Sequence, residues 1–180
     1  MQLRPPLRAQ LVGPPRSLHA RYWEGVGAGP SRSCFRYCGV GPVGWLSAIV
    51  GKYELLSDPK DKAYDAFLEA AGVSDAHREA FSMVSPSAEI SSAGGQWSVR
   101  TLSELVNEEA LFTSGAETTT RFFGTDAVSV FTVEGSNKLV HDFTAAGKAS
   151  RTVSEFAADG MTVTLSSQGK TAVRKYKRVA

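Results

Sequence analysis

From Ser87 to the C-terminus, turn signals punctuate the chain at short, regular intervals: Gly94-Gly95, Asn107, Gly115, Gly124, Glu134-Gly135, Ala146-Gly147, Asp159-Gly160 and Gln168-Gly169. The segments between them are rich in Val, Thr, Phe and Leu and are too short for ordinary globular helices. Strand-like segments joined by such turns pair with their sequence neighbours. The result is an antiparallel meander, and hence a barrel or a sandwich. Either fold gives each strand one inner face, so the turns also decide which side chains share the interior.

The last three turns permit that count. A two-residue loop at Gln168-Gly169 sets Leu165 opposite Ala172, Val163 opposite Arg174 and Met161 opposite Tyr176. Opposed residues in an antiparallel pair point to the same side. Met161, Val163 and Leu165 form the apolar side of their strand, so Arg174 and Tyr176 point inward. A two-residue loop at Asp159-Gly160 sets Ala158 opposite Met161, Phe156 opposite Val163 and Ser154 opposite Leu165. A loop at Ala146-Gly147 sets Phe143 opposite Ser150 and His141 opposite Thr152. The inner wall thus mixes Leu139, His141, Phe143, Ser150, Thr152, Ser154 and Phe156 with the apolar set, while Arg151 and Glu155 face out.

Upstream, residues 51–56 have the aromatic and aliphatic content of a first strand. Pro59 opens a helical stretch with Asp58 as its N-cap; Tyr64, Phe67, Leu68 and Ala71 recur at helical spacing, and Gly72 closes it. A second helix runs from an N-cap at Ser74 to about Met83, with Pro86 beyond. From residue 45 onward the chain reads as about ten strands and two helices.

Residues 1–44 are of another kind. They are rich in Pro, Gly and Arg, with six arginines against Glu24 alone, and keep no helix or strand period. They read as a disordered leader, either a mitochondrial transit peptide or a plain tail. The remaining residues, 45–180, form one domain with a small net negative charge, which argues against a basic nucleic-acid face. Cys34 and Cys38 both fall in the leader, so the folded part has no disulfide framework and fits a reducing compartment. No cysteine-histidine cluster has metal-ligand spacing, so no metal or cofactor is expected. No apolar run is long enough for a membrane helix.

A dry core does not normally hold His, Ser, Thr, Arg and Tyr together. A cavity with water and an amphipathic ligand does. A permanently charged guanidinium on an inner face also requires a negative partner. No acid lies on the inner face of the last three strands, although Glu108, Glu109 or Glu117 elsewhere is an alternative partner for Arg174. The balance favours a ligand carboxylate.

Several segments then resemble, in order, the intracellular lipid-binding protein family of fatty acid-binding and cellular retinoid-binding proteins. Residues 51–55 resemble its opening Gly-x-aromatic-x-Leu, and residues 64–73 its first helix with the Gly-Val that ends it. Residues 107–115 are similar to its Asn-Thr-Glu strand and residues 137–141 to its Gly-Lys-Leu-Val-His. Residues 171–178 resemble the closing strand with Arg-x-Tyr. The resemblance covers about residues 45–180. It implies a mainly all-β fold: a ten-stranded antiparallel up-and-down β-barrel, calycin-like, with a helix-turn-helix lid between strands one and two. It further implies one long-chain ligand inside, its carboxylate held by Arg174 and Tyr176, and a monomeric cytoplasmic carrier (mitochondrial if the leader is a transit peptide). The family's second inward arginine falls on Ser154, and its portal Phe on Leu105.

The expected function is therefore non-covalent binding and transport of a fatty acid. Its ligand-facing residues are Arg174, Tyr176, Ser154, His141, Thr152, Met161, Val163 and Phe156. Access is gated by a lid and portal at Tyr64, Phe67, Leu68 and Leu105, and the lid is the expected point of transient membrane contact. Because Ser154 replaces a cation, a retinoid or neutral-lipid carrier is the alternative. An extracellular lipocalin-type carrier disagrees with the missing disulfides and the helical pair. An enzyme would need a nucleophile and base; His141 facing Thr152 beside Ser150 and Ser154 is more simply a polar lumen pair.

Overall fold

The computed structural model describes residues 48–179. The leader, its cysteines and the onset of order near Trp45 lie outside the described residues. Ten strands and two helices follow in order: β1 (Gly51–Leu55), α1 (Lys62–Ala70), α2 (Asp75–Phe81), β2 (Ser87–Ala93), β3 (Gln96–Leu102), β4 (Asn107–Phe112), β5 (Glu117–Phe122), β6 (Thr125–Glu134), β7 (Lys138–Ala145), β8 (Lys148–Phe156), β9 (Gly160–Ser167) and β10 (Lys170–Val179). Every sequence neighbour from β5 to β10 pairs antiparallel, β10 closes onto β1, and β1 continues through β2 and β3 to β4. The sheet is a nearly closed barrel with one unpaired seam, between β4 and β5.

Across the seam, Thr118 donates to the Leu111 carbonyl at 3.4 Å. Glu108 on β4 accepts from the Gly124 N–H at the β5–β6 turn, also at 3.4 Å. The two helices stand between β1 and β2, as the lid reading requires.

The hairpins explain the register. Gln168-Gly169 and Ala146-Gly147 both take left-handed backbone at two successive positions, φ 46° and 77° in the first and 49° and 75° in the second. Such loops match the twist of their strands. The pairs Arg174–Val163, Tyr176–Met161, His141–Thr152 and Phe143–Ser150 all stand as the turns predict.

The Asp159-Gly160 loop differs. β8 ends at Phe156 and β9 begins at Gly160, so three residues make the turn, closed by the Ala157 N–H donating to the Gly160 carbonyl at 2.8 Å. Phe156 therefore faces Met161, and Ser154 faces Val163. The error is two residues, a full strand period, so the inward face is unchanged.

Gly160 has no positive φ. It is glycine because a Cβ there would overlap the Tyr176 backbone carbonyl oxygen. Gly160→Ala is accordingly expected to push β9 off β10 at Tyr176 and to cost about 1–3 kcal/mol, the usual range for overpacking. A urea midpoint equal to the wild type's would refute that.

Two other expectations need correction. Asn107 is not a turn but the first residue of β4; the turn is at 103–106, closed by the Ser103 N–H donating to the Val106 carbonyl at 2.7 Å. Asp58 is not the cap of α1. Its carboxylate accepts from Lys60 N–H, while Asp61 is the N-cap, accepting from Ala63 N–H at 2.9 Å. Residues 58–61 form a turn before the helix rather than its first turn, closed by the Asp61 N–H donating to the Asp58 carbonyl at 3.2 Å. The far end matches its signal. Gly72 at φ 90° lets the Val73 N–H reach the Leu68 carbonyl and the Gly72 N–H reach that of Glu69, satisfying the last helical acceptors. Helix α2 follows its cap position at Ser74 but stops at Phe81.

Two apolar clusters fill the interior. One, away from the lid, joins Tyr53, Trp97, Phe112, Phe131, Phe156, Met161 and Val163. The other lies under α1 and joins Tyr64, Phe67, Leu68, Ala71 and Val73 to Ala127, Phe143, Ala145 and Ala172.

Candidate functional site

β10 carries Arg174 inward because the Gln168-Gly169 loop fixes its phase. The side chain is 2% exposed. Its Cζ lies 4.0 Å from the centroid of the Tyr64 ring, which reaches down from α1. No carboxylate pairs with Arg174 among the described residues. Glu109 accepts instead from Ser98 at 2.7 Å, and Glu117 is exposed. Glu108 points inward, but its partners are the Gly124 N–H and the Arg121 charge; burial, the larger influence, raises its pKa. The Nε and Nη2 of Arg174 are buried and have no hydrogen-bond partner. Tyr64 covers the face of the guanidinium, whereas its N–H donors lie in its plane, where a carboxylate binds.

Tyr64 and Tyr176 flank the cation. Burial pushes the Tyr64 phenol up to about 12, against the opposing pull of Arg174. Burial likewise raises Tyr176, again opposed by Arg174. Both hydroxyls therefore stay protonated and able to donate at physiological pH.

These groups line a cavity of about 210 Å³, together with Val99, Thr101, Glu108, Ala110, Thr120, Phe122, Phe123, Phe131, His141, Phe143 and Thr152. Of the expected site residues, Arg174, Tyr176, His141, Thr152 and Tyr64 meet here. Met161, Val163 and Phe156 do not line it; they are buried in the cluster beyond. Ser154 does not line it either, yet it shares a lateral row with Arg174, through Val163 on the strand between them. Two strand spacings separate them, roughly 10 Å. Phe67 and Leu68 pin α1 rather than face the cavity, and Leu105 is 55% exposed at the rim.

A larger hollow of about 460 Å³ opens outward between α2, the β3–β4 turn and the β5–β6 turn. It shares Glu108, Glu109, Arg121 and Phe123 with the inner cavity. That shared wall is where the outer hollow meets the inner cavity. Phe123, at the tip of the β5–β6 turn with φ 49°, closes it by packing edge-on against Phe81 of α2 at 4.3 Å. Leu105, the expected portal residue, lines the outer hollow together with Phe81 and Phe123, which were not singled out from the sequence. The Phe123-Gly124 pair was a usable hairpin signal. A third hollow, about 560 Å³ between the start of α1 and α2, is larger still. It meets the Arg174 site only through Tyr64, which lines both, and is otherwise lined mostly by polar and charged residues of the helices and the turn before them.

His141 sits inside the line of rings that walls the cavity. It stacks on Phe131 at 3.8 Å and on Phe143 at 4.7 Å. Its Nε2 lies 3.0 Å from Ser129 Oγ, which in turn is 2.7 Å from Thr120 Oγ1. Burial lowers its pKa to about 4. The unfolded chain protonates near 6.5, so stability is full above that pH and falls as pH drops toward 4. The loss is up to about 3 kcal/mol. In His141→Gln, the acid limb of a stability–pH curve is expected to flatten between pH 6.5 and 4; an unchanged limb would exclude the buried neutral imidazole.

A nearly closed ten-stranded barrel with a two-helix lid and a buried cation over an inner cavity is the architecture of a lipid-binding β-barrel. No protein-family model matches the chain, but curated relatives do. It is 36% identical over 129 residues to the fatty acid-binding protein of Tyrophagus putrescentiae, covering 71% of this chain and 95% of that one. It is 35% identical over 135 residues to that of Lepidoglyphus destructor, covering 74% and 99%. The structure of the Schistosoma mansoni fatty acid-binding protein in complex with arachidonic acid superposes with a TM-score of 0.70 at 27% identity, over 76% of this chain and all of that one. The chain belongs to the fatty acid-binding protein family. Members of this family are carriers, not enzymes, and the chain is not an enzyme.

Proposed function

We propose that the chain binds a long-chain fatty acid inside the barrel, with the carboxylate held by Arg174 and Tyr176, and carries it through the cytoplasm as a monomer. The observation that carries the reading is the buried guanidinium of Arg174, with two N–H donors lacking partners beside a cavity. Each methylene leaving water contributes about 0.8 kcal/mol. A hydrogen bond to the charged head group contributes roughly 1.5–3 kcal/mol.

The cavity of about 210 Å³ is smaller than the roughly 300–1,000 Å³ typical of ligand sites. Loading a long chain therefore requires the lid and Phe123 to give way. The exposed Leu105 on the outer hollow and the exposed Met83 just after α2 suit brief contact with a membrane during transfer. Ser154 in the Arg174 row supports a second reading. With one cation where the resemblance implies two, a retinoid or neutral lipid competes better.

Titration of the delipidated protein with a fatty acid and its matching fatty alcohol separates the two readings. Arg174→Gln is expected to weaken the acid about ten- to hundredfold and the alcohol far less. Equal losses, or none, would remove the carboxylate role.

A further inference from the structure

The head-group site accounts for Arg174, Tyr64 and Tyr176. It leaves unexplained a chain of neutral polar groups on the opposite wall. Ser129 on β6 is fully buried, and Thr120 on β5 is 8% exposed. Ser129 hydrogen-bonds both Thr120 and His141 on β7, and Thr120 and His141 face the cavity. An apolar residue at any of the three positions would serve a plain alkyl chain at least as well, since buried polar groups carry a desolvation cost.

We propose that Thr120, Ser129 and His141 form a second, uncharged subsite for a hydroxyl or carbonyl oxygen placed along the lipid chain. This rests on the lipid-carrier reading above and narrows it to oxygenated lipids.

The hydrogen-bond logic supports both oxygen types. Ser129 has one proton and stands between two partners. When His141 Nε2–H donates to Ser129 and Ser129 donates to Thr120, the Thr120 hydroxyl is free to donate into the cavity and Nδ1 is an acceptor. When the chain runs the other way, Ser129 donates to Nε2, and Nδ1 carries the proton. Nδ1 makes no hydrogen bond among the described residues. The relay thus offers one donor end and one acceptor end in either state. A hydroxyl can meet either the donor end or the acceptor end, a ketone only the donor end. The neutral imidazole that burial enforces keeps this exchange open at physiological pH. His141 lies on β7, three strands from Arg174 on β10. An oxygen bound here therefore sits well down the chain from the carboxylate, not beside it.

The test uses delipidated full-length protein, octadecanoate and a positional series of hydroxyoctadecanoates. At least one isomer with a mid-chain hydroxyl is expected to bind roughly two- to tenfold tighter than octadecanoate, the worth of one net hydrogen bond. That preference is expected to disappear in Ser129→Ala and in His141→Leu. Because either variant risks a folding defect, nitrogen-15 spectra of the wild-type imidazole give a second readout: the preferred isomer is expected to shift the tautomer signals while octadecanoate is not. Octadecanoate binding with no isomer preferred would overturn this subsite and leave the carrier reading intact. Failure of every lipid to bind would overturn both. A preference that survives the substitutions would overturn the assignment to these residues.

Discussion

Arg174→Met is expected to make the delipidated protein more stable while making it a poor binder of fatty acids. The guanidinium is 2% exposed and lacks an ionic partner among the described residues. Its compensation comes from Tyr64, whose ring lies 4.0 Å away and whose hydroxyl also accepts a hydrogen bond from it; the ring contact contributes about 2 kcal/mol when desolvated. The effective cost of burying an ion is several kcal/mol. The balance is unfavourable, and a methionine of similar length removes it. Replacing buried charges by apolar groups stabilises proteins by about 1–4 kcal/mol, and a gain in that range is expected in the urea midpoint. Isothermal titration of the same variant with a fatty acid should show at least a tenfold loss. If instead the variant loses stability, Arg174 is a structural residue and the head-group role fails with it.

The legible part of this molecule was the part held by two-residue hairpins. Left-handed turns at Ala146-Gly147 and Gln168-Gly169 have a fixed length, so phase propagates from strand to strand, and Arg174, Tyr176, His141 and Thr152 followed. The count went no further than β7, and the next connection, 135–137, has three residues rather than two, with Glu134 facing Lys138. Ser129 and Thr120 lay past that stop, and no local pattern marks a serine in a strand as buried. The Asp159-Gly160 dipeptide misled for a physical reason: its glycine serves a close approach to β10, not a tight turn. Turn chemistry could not distinguish these uses.

The lid was legible as two helices but not as a device coupled to the head-group site, because the contact between Tyr64 and Arg174 spans more than 100 residues of chain. Helix α1 has nine residues, too few to be stable alone. Its order comes from packing: Phe67 and Leu68 are almost wholly buried against Phe143, Ala145, Ala127 and Ala172. Arg78 of α2 ties the helices together through Asp65 of α1 at 3.1 Å and also pairs with Asp75 on its own helix at 3.2 Å, but those carboxylates are exposed and such pairs contribute little.

Phe67→Ala removes the main anchor, a change worth about 3–5 kcal/mol in a packed core. The strands keep their own hydrogen-bonded ladder, whereas the helices have no comparable attachment. The expected result is therefore local. Amide exchange in α1 and α2 should accelerate by at least about a hundredfold, with β6, β7 and β8 little changed. Tyr64 leaves Arg174 when α1 undocks, so fatty acid release should also accelerate. A uniform loss of protection across the barrel would show that lid and barrel unfold as one unit, and release could not then be controlled by the lid alone.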